Sequence, residues 1–229
     1  MIRWLQSVKF LIFVVAAVIS ANSQAQEGSA IVHFRNRERS WDQIPSLVIA
    51  AAENDRRISL VFEAVDYWNR TFNGIGSPFR LGTVKQTHEL LPVQYLERLS
   101  DAVLSGKPLP AASDALKKIN GDLIIALSDG DLVSFSTGFM QGRRVIVGIR
   151  SDRLFPLTLA NVARNVIAHE LGHAIGLGHN NDAAKLMCGR PAPCRPDVFR
   201  SSTETYFPLT EFEKAYLLKI YPPTWSPSR

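Results

Sequence analysis

Residues 169–179 read His-Glu-Leu-Gly-His-Ala-Ile-Gly-Leu-Gly-His, placing three of the chain's five histidines in one short window. On an α-helix, positions i and i+4 lie one above the other, so His169 and His173 can offer two imidazoles to one metal ion. Glu170 sits one residue along, near enough to address a water held on that ion. A helix that ran straight on would carry His179 away from the same face. Gly176 removes that difficulty, because a glycine can take the left-handed conformation that ends a helix and turns the chain back. Three neutral imidazoles with one open position is the donor set of catalytic zinc. Such an ion acidifies water and polarises a carbonyl, and Glu170 would serve as the base that takes the proton and later delivers it to a leaving amine. His33 and His88 lie outside the window and read as ordinary polar residues.

The pattern HExxHxxGxxH resembles the signature of the metzincin zinc peptidases. The resemblance implies a methionine turn beneath the metal, and Met187, in Lys185-Leu186-Met187-Cys188, falls where that turn would lie. Its implied role is an apolar floor under the imidazoles, not ligation. Within the clan the chain is most similar to the matrixin-like peptidases, through FEAVDYWN (62–69), DLIIAL (122–127) and LTEFEKAYLLKIY (209–221). This implies an α/β (α+β) fold, with a twisted five-stranded mixed sheet, an active-site helix, the methionine turn and a C-terminal helix. It also implies one catalytic Zn2+, a protein or peptide substrate, and an antiparallel edge strand, assigned to 132–139, against which substrate pairs as an extra strand. The loop 189–207 would form one wall of the pocket for the side chain just beyond the scissile bond, with Tyr206 and Phe207 as candidate apolar lining. Three features depart from the pattern. Asn180 follows the third histidine where animal matrixins have Ser, no PRCGxPD-like latency segment precedes the domain, and no Tyr stands two residues after Met187.

Cys188 and Cys194 are the only cysteines. In an oxidising compartment they can close a small loop as a disulfide. Two free thiols, or Cys188 as a thiolate that blocks the metal, are the other readings. Asp129-Gly130-Asp131 and Asp182 read as solvated turns, and no calcium is expected.

The elements that must position these groups begin after an export signal. Arg3 and Lys9 precede the apolar run 10–19 (FLIFVVAAVI), and small polar residues follow to Ala25. This is the order of a signal peptide over 1–25, cleaved after Ala25 with Ser23 as the next choice. A spanning helix needs about 20 apolar residues, so an uncleaved anchor is the weaker alternative. Residues 26–45 are polar and form an N-terminal arm or short pro-segment. The catalytic domain spans 46–223, and 224–229 is a tail.

Strands are expected at 46–52, 79–84, 122–127, 132–139 and 145–149, and helices from Asp55, over 91–104, and from 159 with Thr158 as cap. Thr210 caps a last helix over 211–220, with Glu213 at the reciprocal capping-box position.

The net charge of +5 falls to +3 once Arg3 and Lys9 leave with the signal. No basic run with interleaved aromatics occurs, so nucleic acid is not a partner. The reading is a secreted or periplasmic monomer, with no stable membrane insertion after cleavage, acting as a zinc endopeptidase. A secreted zinc-containing binding module and a non-peptidase zinc amide hydrolase are the competing classes.

Overall fold

A computed structural model of the chain describes residues 40–138, 143–189, 194 and 196–228. The signal peptide, most of the 26–45 arm and Phe139 lie outside the described residues.

Three apolar strands form the centre. In β1 (Leu47–Ala50), β3 (Leu123–Leu127) and β5 (Val145–Ile149) every residue is buried. Parallel strands covered on both faces need such unbroken apolar runs. A polar strand, β2 (Val84–Thr87), adds to one side, and the two-residue β4 (Phe135–Ser136) adds to the other. The sheet order is β2-β1-β3-β5-β4, with β4 alone antiparallel. The expected five-stranded mixed sheet and α/β fold class are therefore present.

Side chains alternate along the strands and build two cores. Leu47, Ile49, Leu123, Ile125, Val145 and Val147 face the layer that holds α1 (Arg57–Gly74) and α4 (Ala160–Ala174). Val48, Ala50, Ile124, Ala126 and Ile146 face α2 (Val93–Ser105) and the short α3 (Asp114–Lys118). The last helix, α5 (Glu211–Ile220), closes the α1–α4 side, where Leu217 and Tyr221 are buried.

Several local expectations need correcting. The strand expected at 79–84 pairs only from Val84 onward. Phe79 and Leu81 are buried as core side chains, so their hydrophobicity reflects packing and not a ladder. The edge strand expected over 132–139 is reduced among its described residues to Phe135–Ser136. Thr158 does not cap α4; Leu159 occupies the cap position and gives no side-chain hydrogen bond. The helix α3 was not expected, because five residues carry too little periodicity to read.

Two tryptophans tie the flanks to the core. Trp41 is buried, and its indole N–H donates to the Ala174 carbonyl at 3.0 Å. Trp225 donates through its indole N–H to the Trp41 carbonyl at 3.2 Å and packs edge-on to Phe79. The boundaries drawn at 46 and 223 thus leave out two residues that pack with the core.

Candidate metal centre

The helix α4 carries His169 and His173 and then stops in a specific way. Gly176 has φ 110°, a left-handed value that favours glycine. The Gly176 N–H donates to the His173 carbonyl at 3.1 Å, and the Leu177 N–H donates to the Gly172 carbonyl at 2.9 Å. These two bonds are the Schellman ending of a helix. The next carbonyls are covered by aromatic donors, Trp41 on Ala174 and the Tyr221 hydroxyl on Ile175 at 3.0 Å. The chain therefore reverses without leaving buried carbonyls unpaired, and His179 returns to the helix face.

The three Nε2 atoms converge. The separations are 3.1 Å from His169 to His173, 2.9 Å from His173 to His179 and 3.2 Å from His169 to His179. Among the described residues this is the cluster of three side chains able to hold a metal ion. In His169 and His173 the other ring nitrogen fixes the tautomer. His169 Nδ1 lies 2.7 Å from the Leu186 carbonyl, and His173 Nδ1 lies 2.8 Å from the Leu177 carbonyl. A carbonyl can only accept, so Nδ1 holds the proton and Nε2 presents its lone pair to the centre. Tetrahedral zinc with nitrogens at about 2.0–2.1 Å sets those nitrogens about 3.3 Å apart. The donor set, its tautomers and its spacing all fit zinc.

Burial sets the charge of these groups. Burial, reinforced by the neighbouring His179, pulls His169 down to about 4, so its imidazole is neutral and ready to ligate. Burial also pushes the Glu170 carboxyl up to about 8. Both residues line a cleft of about 900 Å³ that runs past Ser134–Ser136 of the edge strand.

The floor and walls follow from glycines and one methionine. Met187 is fully buried. A Cβ on Gly172 would stand 2.5 Å from the Met187 sulfur and 3.0 Å from the Trp68 ring, so the methionine reaches the underside of the helix only because residue 172 has no side chain. A Cβ on Gly189 would stand 2.2 Å from the His179 ring. Cys188 and Cys194 are joined in a disulfide, with Cα atoms 5.9 Å apart, and both line the cleft.

The residue after the third histidine holds this turn to the last helix. The Asn180 N–H donates to the Met187 carbonyl at 2.8 Å, and its side-chain amide donates to Glu213 at 2.7 Å. Glu213 is buried and also accepts from the Thr210 N–H at 2.7 Å, completing the expected capping box. The sequence marks Glu213 as a cap and Asn180 as a departure, but their pairing spans 33 residues and leaves no local signal.

The proposed aromatic lining needs correction. Tyr206 stacks on Tyr67 with ring centroids 4.3 Å apart, and Phe207 packs against the core. Neither lines the cleft; Phe199 does, with its ring centroid 6.4 Å from that of His169. Phe199 carried no signal of its own, because it follows Val198 in a proline-rich loop with no helix or strand periodicity.

No protein-family model matches the chain, and no curated protein matches it. Among solved structures, archaemetzincin from Methanopyrus kandleri aligns with it at 18% identity and a TM-score of 0.45, covering 81% of this chain and 98% of that one.

Proposed function

We propose that the chain is a secreted or periplasmic zinc-dependent endopeptidase of metzincin type, with His169, His173 and His179 as ligands to one zinc ion and Glu170 as catalytic base. The observation that carries this reading is the triangle of Nε2 lone pairs, 2.9–3.2 Å on a side, opening onto a long cleft with a buried carboxyl beside it. Zinc bound there would supply the Lewis acid that polarises a scissile carbonyl and acidifies water. Glu170 takes the proton from the attacking water and passes it to the departing amine. Met187 supports the imidazoles from below by packing and is not a ligand.

The cleft fits an extended chain better than a small amide. Ser134, Phe135 and Ser136 line it along the outer edge of the sheet, where a peptide can add as a further strand. Leu157, Val166, Phe199 and the Cys188–Cys194 bridge give an apolar wall close to the metal ligands. This wall favours a hydrophobic residue just after the scissile bond. The matrixin-like assignment rests on the motifs at 62–69, 122–127 and 209–221. Export rests on the order of basic start, apolar run and small residues in 1–25, and the disulfide accords with an oxidising compartment. Among the described residues no helix is long and apolar enough to cross a membrane.

Metal analysis of the purified protein tests the centre itself. About one zinc per chain is expected in the native protein and close to none in His169→Ala. A native protein that neither retains nor takes up zinc overturns the reading.

A further inference from the structure

The metal helix does more than carry ligands. Two asparagines on its first turns, Asn161 and Asn165, are buried and spend their side chains on the backbone of the loop that follows the methionine turn. The Asn161 amide donates to the Phe199 carbonyl at 2.9 Å, and its oxygen accepts from the Thr205 N–H at 2.9 Å. The Asn165 amide donates to the Thr205 carbonyl at 2.8 Å, and its oxygen accepts from the Phe207 N–H at 2.8 Å. Between them Arg164 reaches out from the same helix, with Nε donating to Glu63 of α1 at 3.0 Å and Nη2 donating to Glu204 of the loop at 2.9 Å.

Buried amides satisfied by backbone on both their donor and acceptor sides are rigid and costly to disturb. Here the backbone they hold runs from the C-terminal carbonyl of a short 3-10 helix, Pro196–Phe199, to Phe207. It is the segment whose Phe199 ring, 3% exposed, stands in the cleft wall beside Leu157 and Val166. Loops that touch ligand are usually adaptable, and this one is tied at three successive points to the element that presents the metal ligands.

We propose that Asn161 is a specificity-positioning residue: by holding the Phe199 carbonyl, it fixes how far the Phe199 ring reaches into the cleft and so limits the size of the side chain accepted beside the metal. This rests on the zinc-peptidase reading of the same cleft. The amide donor faces Phe199, and the amide oxygen faces the Thr205 N–H with Arg164 Nη1 at 3.5 Å on the same oxygen, so the two halves of the clamp can be separated chemically. Asn161→Asp keeps an acceptor for the Thr205 N–H but replaces the donor with a second acceptor, which repels the Phe199 carbonyl. The ring then loses its anchor and the pocket loses its stop.

The test uses two peptide hydroxamates that differ only in the side chain next to the zinc-binding group, one isobutyl and one naphthylmethyl. Their Kd values are measured by calorimetry on the zinc-loaded full-length native protein and on Asn161→Asp. The native protein should favour the isobutyl probe, and the ratio of the two Kd values should move toward the larger probe by about tenfold in Asn161→Asp, the scale of discrimination set by a modest change in an apolar pocket. Phe199→Leu, which leaves the clamp intact and shortens the wall, should move the ratio the same way and keeps the test open if Asn161→Asp folds poorly. Melting temperature and zinc content are read alongside. A variant that melts lower but keeps the native ratio shows a clamp that only stabilises the loop, and this overturns the proposal. Native zinc-loaded protein that binds hydroxamate without a size preference also overturns it while leaving the zinc centre standing. Native protein that holds no zinc sinks the zinc-peptidase reading, and this one with it.

Discussion

Glu170 and His169 are buried together, and their opposite shifts make the metal-free protein sensitive to pH. His169 falls to about 4 from an ordinary 6.5, so between those values the unfolded chain binds more protons and stability falls as the solution is acidified. Glu170 rises to about 8 from 4.5, so in that window the folded chain binds more protons and stability falls as pH rises. Between 4.5 and 6.5 the two trends oppose each other; from 6.5 to 8 only that of Glu170 remains. Metal-stripped protein should therefore lose stability between pH 6.5 and 8, on the order of 2 kcal/mol. A dication beside Glu170 favours the carboxylate, and the zinc-loaded protein should show no such loss. Denaturant melts of both forms at the two pH values check this, and parallel behaviour would show that Glu170 does not feel the metal. A second expectation at this scale concerns turnover. Glu170→Ala should keep its zinc and its melting profile yet lose about 10²–10⁴-fold in rate, the range that a positioned general base supplies. A variant close to native activity would mean that another group takes the proton.

At the scale of elements, the centre is a junction of three pieces: α4 with its reversal at Gly176, the turn at Met187, and the N-terminus of α5. Glu213 joins the last two, since it accepts from Asn180 at 2.7 Å while closing the capping box of its own helix. Glu213→Ala removes a buried acceptor from two donors, and a loss of about 2–4 kcal/mol is expected. Zinc affinity should fall about 10-fold or more, as when a residue orienting a ligand is removed, and competition with a chromogenic chelator measures it. Unchanged affinity would reduce α5 to a packing element.

The sequence announced some of these elements and not others, for physical reasons. The spacing of His169, His173, Gly176 and His179 is dictated by helix geometry and a left-handed exit, so the metal set could be read directly. The Thr210–Glu213 box is a contiguous motif and could be read as well. The strands at 123–127 and 145–149 are apolar throughout because both their faces are covered. By contrast, Phe79 and Leu81 mimic a strand although they are core side chains, and β4 is too short to leave an alternating pattern. The clamp of Asn161 and Asn165 on residues 199–207 depends on contacts between positions about forty residues apart, which no local pattern encodes.

For the whole molecule, the flanks matter as much as the motif. The Trp41 N–H donates to the Tyr221 hydroxyl at 3.1 Å while its indole covers the end of the metal helix at Ala174, and Ser228 donates to the Asp42 carbonyl at 2.7 Å. Removing the entire segment 26–45 as a pro-peptide would pull Trp41 out of this core. The mature chain should therefore begin at or before Trp41, which intact mass of the exported protein decides; a start at Ser46 in active protein would show the contact to be dispensable. Trp41→Ala should cost about 3–5 kcal/mol, the usual loss for a large buried aromatic. The cleft itself runs between the edge strand, the helix α2 and the loop at Phe199, and its function depends on what passes through it. The most direct measurement is the cleavage of a mixed peptide library by the purified mature protein, with and without a zinc chelator. Cleavage is expected within peptide chains ahead of hydrophobic residues, abolished by the chelator and restored by added zinc. Protein that carries one zinc per chain and leaves every peptide intact would contradict this expectation.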